Sequence, residues 1–149
     1  MIFSFRRATD DDRAMIDEWL TRPHVTESGW EGPIEELDSA FVAELDGKPA
    51  GFLQSYVVMG EWWPDETDPG ARGVDLFLAD AALVGTGAGT AMLRQFVERL
   101  FEDPAVTKVQ IDPSPKNGRA IRSFEKAGFR RVGEVDTPDG RALLMIVTR

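Results

Sequence analysis

The stretch Val74-Asp75-Leu76-Phe77-Leu78-Ala79-Asp80-Ala81-Ala82-Leu83-Val84-Gly85-Thr86-Gly87-Ala88-Gly89-Thr90-Ala91-Met92-Leu93 decides how the rest of the chain is read. It opens on a strand-like run, Val74 to Ala79, and ends in a helix whose apolar stripe is Met92, Leu93, Phe96, Val97, Leu100 and Phe101. Glycines stand between them at positions 85, 87 and 89. Glycine reaches positive φ and lets backbone come close to a ligand, and a helix start offers N–H groups with no intrahelical partner. Strand, glycine loop and helix together suit an anion such as a diphosphate. The same residues also read as a flexible loop before a helix, and spacing alone leaves both readings open. Two nucleotide patterns are excluded. Thr90, Ala91 and Met92 follow Gly89 where a P-loop needs Lys and Ser or Thr, and a dinucleotide fold places its loop after the first strand.

Working outward, Phe3 to Ala8 alternates as a strand. Thr9 caps a helix that opens on Asp10, Asp11 and Asp12 and carries the apolar stripe Met15, Ile16, Trp19 and Leu20. The pattern breaks from Thr21 to Gly32, and Pro33 to Leu37 reads as a short helix. Phe41–Leu45 and Gly51–Met59 form a hairpin around Asp46-Gly47. A turn-rich acidic stretch from Glu61 to Gly73 holds Trp62 and Trp63. Downstream come a strand from Val106 to Asp112, a helix from Asn117 to Ala127 closed by Gly128, and a hairpin of Phe129–Val135 with Arg141–Val147. The expected class is α/β of the α+β kind: a mixed, mostly antiparallel sheet of about six to seven strands flanked by helices. Asp75 and Phe77 should face one side of their strand, with Val74, Leu76 and Leu78 on the other.

The 149 residues suffice for one domain spanning 1–149, with 42% hydrophobic and 29% charged residues. No apolar run has the length of a membrane span, and Met1–Arg7 has the wrong charge order for a signal peptide, so the cytoplasm is expected. Without cysteine, and with His24 the only histidine, neither a thiolate nucleophile nor a multi-His metal centre is available, and no metal is expected. His24 itself reads as a surface residue. With 17 basic against 26 acidic residues the net charge is −9, the wrong sign for a nucleic-acid partner. The acidity suits a cationic small molecule or plain solubility equally well.

The helix that begins Asn117-Gly118-Arg119-Ala120-Ile121 and ends Phe124-Glu125-Lys126-Ala127-Gly128-Phe129 adds a second motif. Together with the glycine loop, in this order, it resembles the GCN5-related N-acetyltransferases, the GNAT superfamily. Gln54-Ser55-Tyr56, Trp62-Trp63, Glu66-Thr67-Asp68-Pro69-Gly70, Arg72-Gly73-Val74-Asp75, Asp112-Pro113-Ser114-Pro115 and Thr137-Pro138-Asp139-Gly140 extend the resemblance to its aminoglycoside 6′-N-acetyltransferases.

The resemblance implies the GNAT fold and acetyl-CoA (coenzyme A) as cofactor. Val84, Gly85, Thr86, Gly87, Ala88, Gly89 and Thr90 would bind its pyrophosphate. Backbone of Leu76, Phe77 and Leu78 would meet the acyl end, and Asn117, Ala120, Phe124 and Lys126 the pantetheine arm. An amine protonated at neutral pH must lose a proton before it attacks a thioester. Asp75 is the implied general base, and the N–H of Leu76 or Phe77 the implied donor to the carbonyl oxygen. Trp30, Tyr56, Trp62, Trp63, Glu66, Asp75 and Asp112 would bind the acceptor, acids pairing with ammonium groups and rings packing on sugar faces. One of Trp62 and Trp63 is expected in the packing and the other at the acceptor. Direct transfer in a ternary complex follows, since no cysteine can carry an acyl group.

Three departures from the family pattern stand out. Phe124 replaces a frequent Tyr that protonates the departing thiolate. Val84 stands where Gln or Arg is common. The segment Glu27–Phe41 and the loop before Trp62 are short, and the chain ends at Arg149 without a tail. The last group touches the acceptor side, so the resemblance also admits a siderophore-precursor amine derived from lysine as acceptor, or a non-catalytic acyl-CoA-binding module. The subunit state is expected to be monomer or homodimer.

Overall fold

The computed structural model describes residues 1–149. Its strands are β1 (Phe3–Arg7), β2 (Ala40–Leu45), β3 (Lys48–Val57), β4 (Ala71–Leu78), β5 (Lys108–Ile111), β6 (Arg130–Thr137) and β7 (Gly140–Thr148). The α-helices are α1 (Arg13–Trp19), α2 (Pro23–Thr26), α3 (Ala88–Leu100) and α4 (Gly118–Lys126). A seven-stranded sheet runs in the order β1-β2-β3-β4-β5-β7-β6, with β4 and β5 parallel and β1/β2, β2/β3, β5/β7 and β6/β7 antiparallel. The chain gathers into two compact units, Met1–Gln54 with Leu76–Met92 and Ser55–Asp75 with Leu93–Arg149. No helix is long and apolar enough to cross a membrane.

In the first unit the expected stripe of α1 is realised: Ile16, Trp19 and Leu20 are buried with Val25, Val42, Phe52 and Phe77, and Met15 packs against them. Phe52 and Phe77 stack with centroids 5.3 Å apart, and Trp19 meets Phe77 edge-on at 6.3 Å. Each such side chain contributes about 1.5–3 kcal/mol of burial. The helical start is a short 3₁₀ turn, Asp10–Asp12, before α1 proper. Asp12 is buried there, accepting from the Thr9 N–H at 2.9 Å and from both Arg6 guanidinium nitrogens at 2.8 and 2.9 Å. Asp46 and Gly47 both take positive φ, 54° and 77°, as the tight β2–β3 hairpin requires.

Two expectations fail in this unit. Pro33–Leu37 forms no helix; the helical turn lies earlier, at Pro23–Thr26. The carbonyls of Ile34 and Glu35 accept from the Arg13 guanidinium, and Leu37 is buried, so tertiary partners hold the segment in open chain. His24 is half-buried, with its Nε2 2.7 Å from the Leu78 carbonyl, so it is not a surface residue.

In the second unit Val109, Phe96, Leu93 and Met145 are fully buried, joined by Ile121 and Phe129. Asn117 caps α4, its side chain accepting from the Ala120 N–H at 3.2 Å. At the other end Gly128 takes φ 106°, while Phe129 N–H bonds the Phe124 carbonyl and Gly128 N–H the Glu125 carbonyl. That is the Schellman pattern the sequence announces. Strand β4 starts at Ala71, three residues before the expected Val74, because Ala71, Arg72 and Gly73 pair in parallel with Lys108, Val109 and Gln110. The pairing covers those residues and ends there. Burial along β4 also departs from simple alternation, since Val74 and Phe77 are both buried while Asp75, Leu76 and Leu78 are half-buried.

Candidate active site

Gly73 creates the room in which the polar cluster of the second unit assembles. A Cβ at this position would collide with the Tyr56 ring and hydroxyl, so the ring of Tyr56 lies directly against the β4 backbone. Its hydroxyl shares its surroundings with Asp75 of β4, Asp112 just after β5, Trp63 and Gln110. Burial first, then the negative charges of Asp75 and Asp112, hold the Tyr56 hydroxyl well above the usual phenol range. Tyr56 therefore stays protonated. The Trp63 indole and the Gln110 amide lie close enough to oppose that shift. Even so, the Gln110 Nε2 is buried and makes no aligned hydrogen bond.

Asp112 responds to the same crowding. Burial, then Asp75 and Asp139, push its carboxyl up to about 7. Two or three carboxylates sharing partly dry surroundings repel, and one of them holds its proton until a cation arrives. Chemically, such a cluster of acids can pair with a cation.

The glycine loop belongs to the first unit. Asp80 caps a 3₁₀ turn, Ala81–Leu83, through the Ala82 N–H at 2.9 Å. Gly85 and Gly87 then take positive φ, 81° and 91°, with open space where a Cβ would stand. Helix α3 begins at Ala88, so Gly89 and Thr90 lie in its first turn rather than in the loop. The Thr86 hydroxyl bonds the Leu83 carbonyl at 2.6 Å, and Val84 is half-buried. Phe77 keeps its side chain in the aromatic core, which leaves only its backbone for a ligand. On α4, Asn117 and Ala120 form the cap, Phe124 is half-buried and Lys126 is exposed, its carbonyl accepting from Arg94.

The remaining expected acceptor residues are placed differently. Trp62 is 58% exposed, and Trp63 is the one that joins Tyr56. Glu66 pairs with Lys108 at 2.7 Å and accepts from the Thr67 and Asp68 N–H groups. Trp30, in the first unit, packs edge-on against Phe52 and Phe77 at 5.8 and 5.1 Å. Sequence reasoning assigned nothing to Gln110, Gly73 or Asp139. A lone amide inside the apolar run Val106–Ile111 was a signal for the first, and the turn Pro138-Asp139 gave none for the last.

Comparison with known proteins agrees with this geometry. A family model described as an acetyltransferase (GNAT) domain matches residues 8–137. An aminoglycoside N(6′)-acetyltransferase type 1 of Klebsiella pneumoniae is 46% identical, covering 98% of this chain and 83% of its own. That alignment runs over 167 positions, so the relative carries residues this chain lacks. A lysine N-acyltransferase MbtK of Mycobacterium sp. (strain MCS) is 30% identical over 99% of this chain and 67% of its own. Among solved structures, the aminoglycoside acetyltransferase AAC(6′)-Ib with coenzyme A and kanamycin matches with a TM-score of 0.92 at 46% identity. The match covers 99% of this chain and 95% of that one. The glycine loop, the capped α4 and the full-length likeness converge, and the chain belongs to the GNAT acetyltransferase family.

Proposed function

We propose that residues 1–149 act as a single catalytic domain, an acetyl-CoA-dependent N-acetyltransferase whose acceptor is the 6′-amine of an aminoglycoside. The observation that carries this reading is the crowding of Asp75 and Asp112 around Tyr56, which keeps Asp112 near 7 and calls for a cationic partner. The glycine loop fits the cofactor: both positive-φ glycines face open space ahead of a thirteen-residue helix. Acetyl-CoA, when bound, supplies an activated acetyl thioester. Gly85 to Thr90 hold its diphosphate through backbone N–H groups, with Val84 contributing backbone alone. Asn117, Ala120, Phe124 and Lys126 line its arm.

In this reading Asp75 takes the proton from the acceptor ammonium, directly or through one water. The Leu76 N–H would donate to the oxygen that becomes negative, with the Leu78 N–H on the same strand edge, while the Phe77 N–H, one residue out of phase, faces the opposite edge of β4. Asp112 binds a second ammonium of the acceptor, Tyr56 offers its hydroxyl, and Trp62, the exposed one of the pair, packs on a sugar face while Trp63 packs beside Tyr56. Trp30 and Glu66 act in support, one packing Phe77 and the other clamping Lys108. Phe124 has no proton to give, so solvent serves the leaving thiolate. The enzyme works in the cytoplasm as a monomer or homodimer, needs no metal, and has no nucleic-acid or membrane partner.

The test is release of CoA thiol from acetyl-CoA by purified protein, with kanamycin, tobramycin and amikacin compared with lysine-derived amines and with no acceptor. Release with the aminoglycosides that is lost in Asp75→Asn supports the reading. A second reading, a lysine-type acceptor, is favoured by the lysine N-acyltransferase relative, and release with lysine amines alone would select it. Binding of acetyl-CoA without release to any acceptor would leave a non-catalytic module.

A further inference from the structure

Where β4 ends, its backbone is held by β3 on one side and also by side chains from α2 and the residue before it. Leu78 is the last strand residue, and its carbonyl lies 2.7 Å from His24 Nε2. The next carbonyl, of Ala79, accepts from Arg22 Nη1 at 2.6 Å, while the Ala79 N–H donates to the Ala50 carbonyl at 2.9 Å. Arg22 is steadied in turn by Glu18, whose carboxylate lies 2.9 Å from Nη2. Val25, fully buried beside Trp19 and Leu20, seats α2 in the core that contains Phe77 and Ala79. Immediately afterwards Asp80 caps the 3₁₀ turn that delivers the chain to Gly85 and Gly87. Two adjacent carbonyls, partnered by residues more than fifty positions earlier, thus set the direction in which the backbone leaves the strand and enters the glycine loop.

A carbonyl partner requires a proton on His24 Nε2, and both the neutral Nε2–H tautomer and the imidazolium supply it. The contact is therefore a strut between α2 and the end of β4. It also gives the chain's only histidine a task that the transfer chemistry leaves open.

We propose that Arg22 and His24 are positioning residues for acetyl-CoA: by bonding the Ala79 and Leu78 carbonyls they fix the backbone at the strand-to-loop junction, so that the N–H groups of β4 and the glycine loop face the cofactor. The proposal rests on the cofactor reading of that loop given above. It separates binding from chemistry, because neither side chain is placed at the acceptor or the reacting atoms.

The experiment measures coenzyme A binding by calorimetry, amide hydrogen exchange across residues 78–89, steady-state kinetics and melting temperature for the full chain and for Arg22→Ala, His24→Ala, the double variant and the conservative His24→Gln. The double variant is expected to weaken coenzyme A binding and raise the KM for acetyl-CoA about tenfold, the equivalent of one to two net hydrogen bonds. Exchange at 78–89 should speed up, while kcat and the KM for the acceptor change less than twofold. His24→Gln keeps an N–H donor and should recover most of the affinity lost in His24→Ala. A lower melting temperature with unchanged coenzyme A affinity would overturn the proposal, as would a loss confined to kcat. Failure of the unaltered chain to bind coenzyme A would instead overturn the cofactor reading of the loop, and the proposal with it.

Discussion

Asp112 is a carboxylate whose surroundings cost it stability. Its pKa, raised to about 7 by burial and by Asp75 and Asp139, means that the native state binds its proton more tightly than the unfolded chain does. Stability therefore falls as pH rises from about 4 to 7, and the penalty is complete above that window. Asp112→Asn removes it and is expected to stabilise the protein by about 1–3 kcal/mol at pH 8. Denaturant midpoints at pH 8 and pH 5 check this, since the gap should narrow at the lower pH. The same substitution removes a partner for an ammonium group, so the KM for kanamycin should rise even as stability improves. A site residue that costs stability is a common trade. Asp75→Asn behaves differently: kcat is expected to fall roughly 10²–10⁴-fold, the usual contribution of a general base, with the KM for acetyl-CoA nearly unchanged. Stopped-flow detection of the released thiol distinguishes the two variants.

At the scale of elements, Gly73 links strand geometry to the site. Gly73→Ala forces the Tyr56 ring out of its place against β4, and overpacking of this kind costs about 1–3 kcal/mol. Aminoglycoside turnover should drop with it, while coenzyme A binding, proposed to rest chiefly on the glycine loop and α4, stays within twofold by calorimetry. The start of the first helix has its own test. Asp12 sits below the usual carboxylate range, chiefly through its bond to Arg6, so its stabilisation is present at neutral pH and lost as acid protonates it. Asp12→Asn should cost about 1–2 kcal/mol at pH 7 and progressively less as pH falls below the usual carboxylate range, as followed by thermal unfolding. These elements differ in how far the sequence announced them. Helix α4 was legible throughout because its cap, its C-terminal glycine and its apolar positions are all local. Its neighbour in difficulty, Pro33–Leu37, looked helical by its opening proline, yet Arg13 takes the Ile34 and Glu35 carbonyls from a distance. The early start of β4 escaped detection because Ala71 to Gly73 gain strand character only by pairing with Lys108 to Gln110. Asp75 stood out as an acid within an apolar strand and Asp112 entered only through the resemblance, whereas Trp30 and Glu66 found partners, Phe77 and Lys108, that no spacing reveals.

Over the whole molecule, a net charge of −9 acts on any polycationic acceptor before contact. Raising the ionic strength should increase the KM for kanamycin several-fold while the KM for acetyl-CoA, itself an anion, stays level or falls. Cofactor binding should also register as global stability. At a hundredfold excess over its dissociation constant acetyl-CoA adds about 2.7 kcal/mol, equivalent to roughly 5–10 °C in Tm for a chain of this length. The lone parallel pairing, β4 with β5, has a further consequence in time. The β2–β3 and β6–β7 hairpins close over tight turns, but β4 and β5 are separated along the chain by the glycine loop and all of α3. Ordering that long loop precedes the reward of contact, so the junction at Gly73 and Gln110 assembles late, after the folding barrier. Substitutions there should speed unfolding and leave the refolding rate nearly unchanged, whereas those in the β6–β7 hairpin should slow refolding. The protein would then be able to open the cluster around Tyr56 briefly while sparing its hairpins, and resistance to proteolysis would track the lifetime of that one late seam.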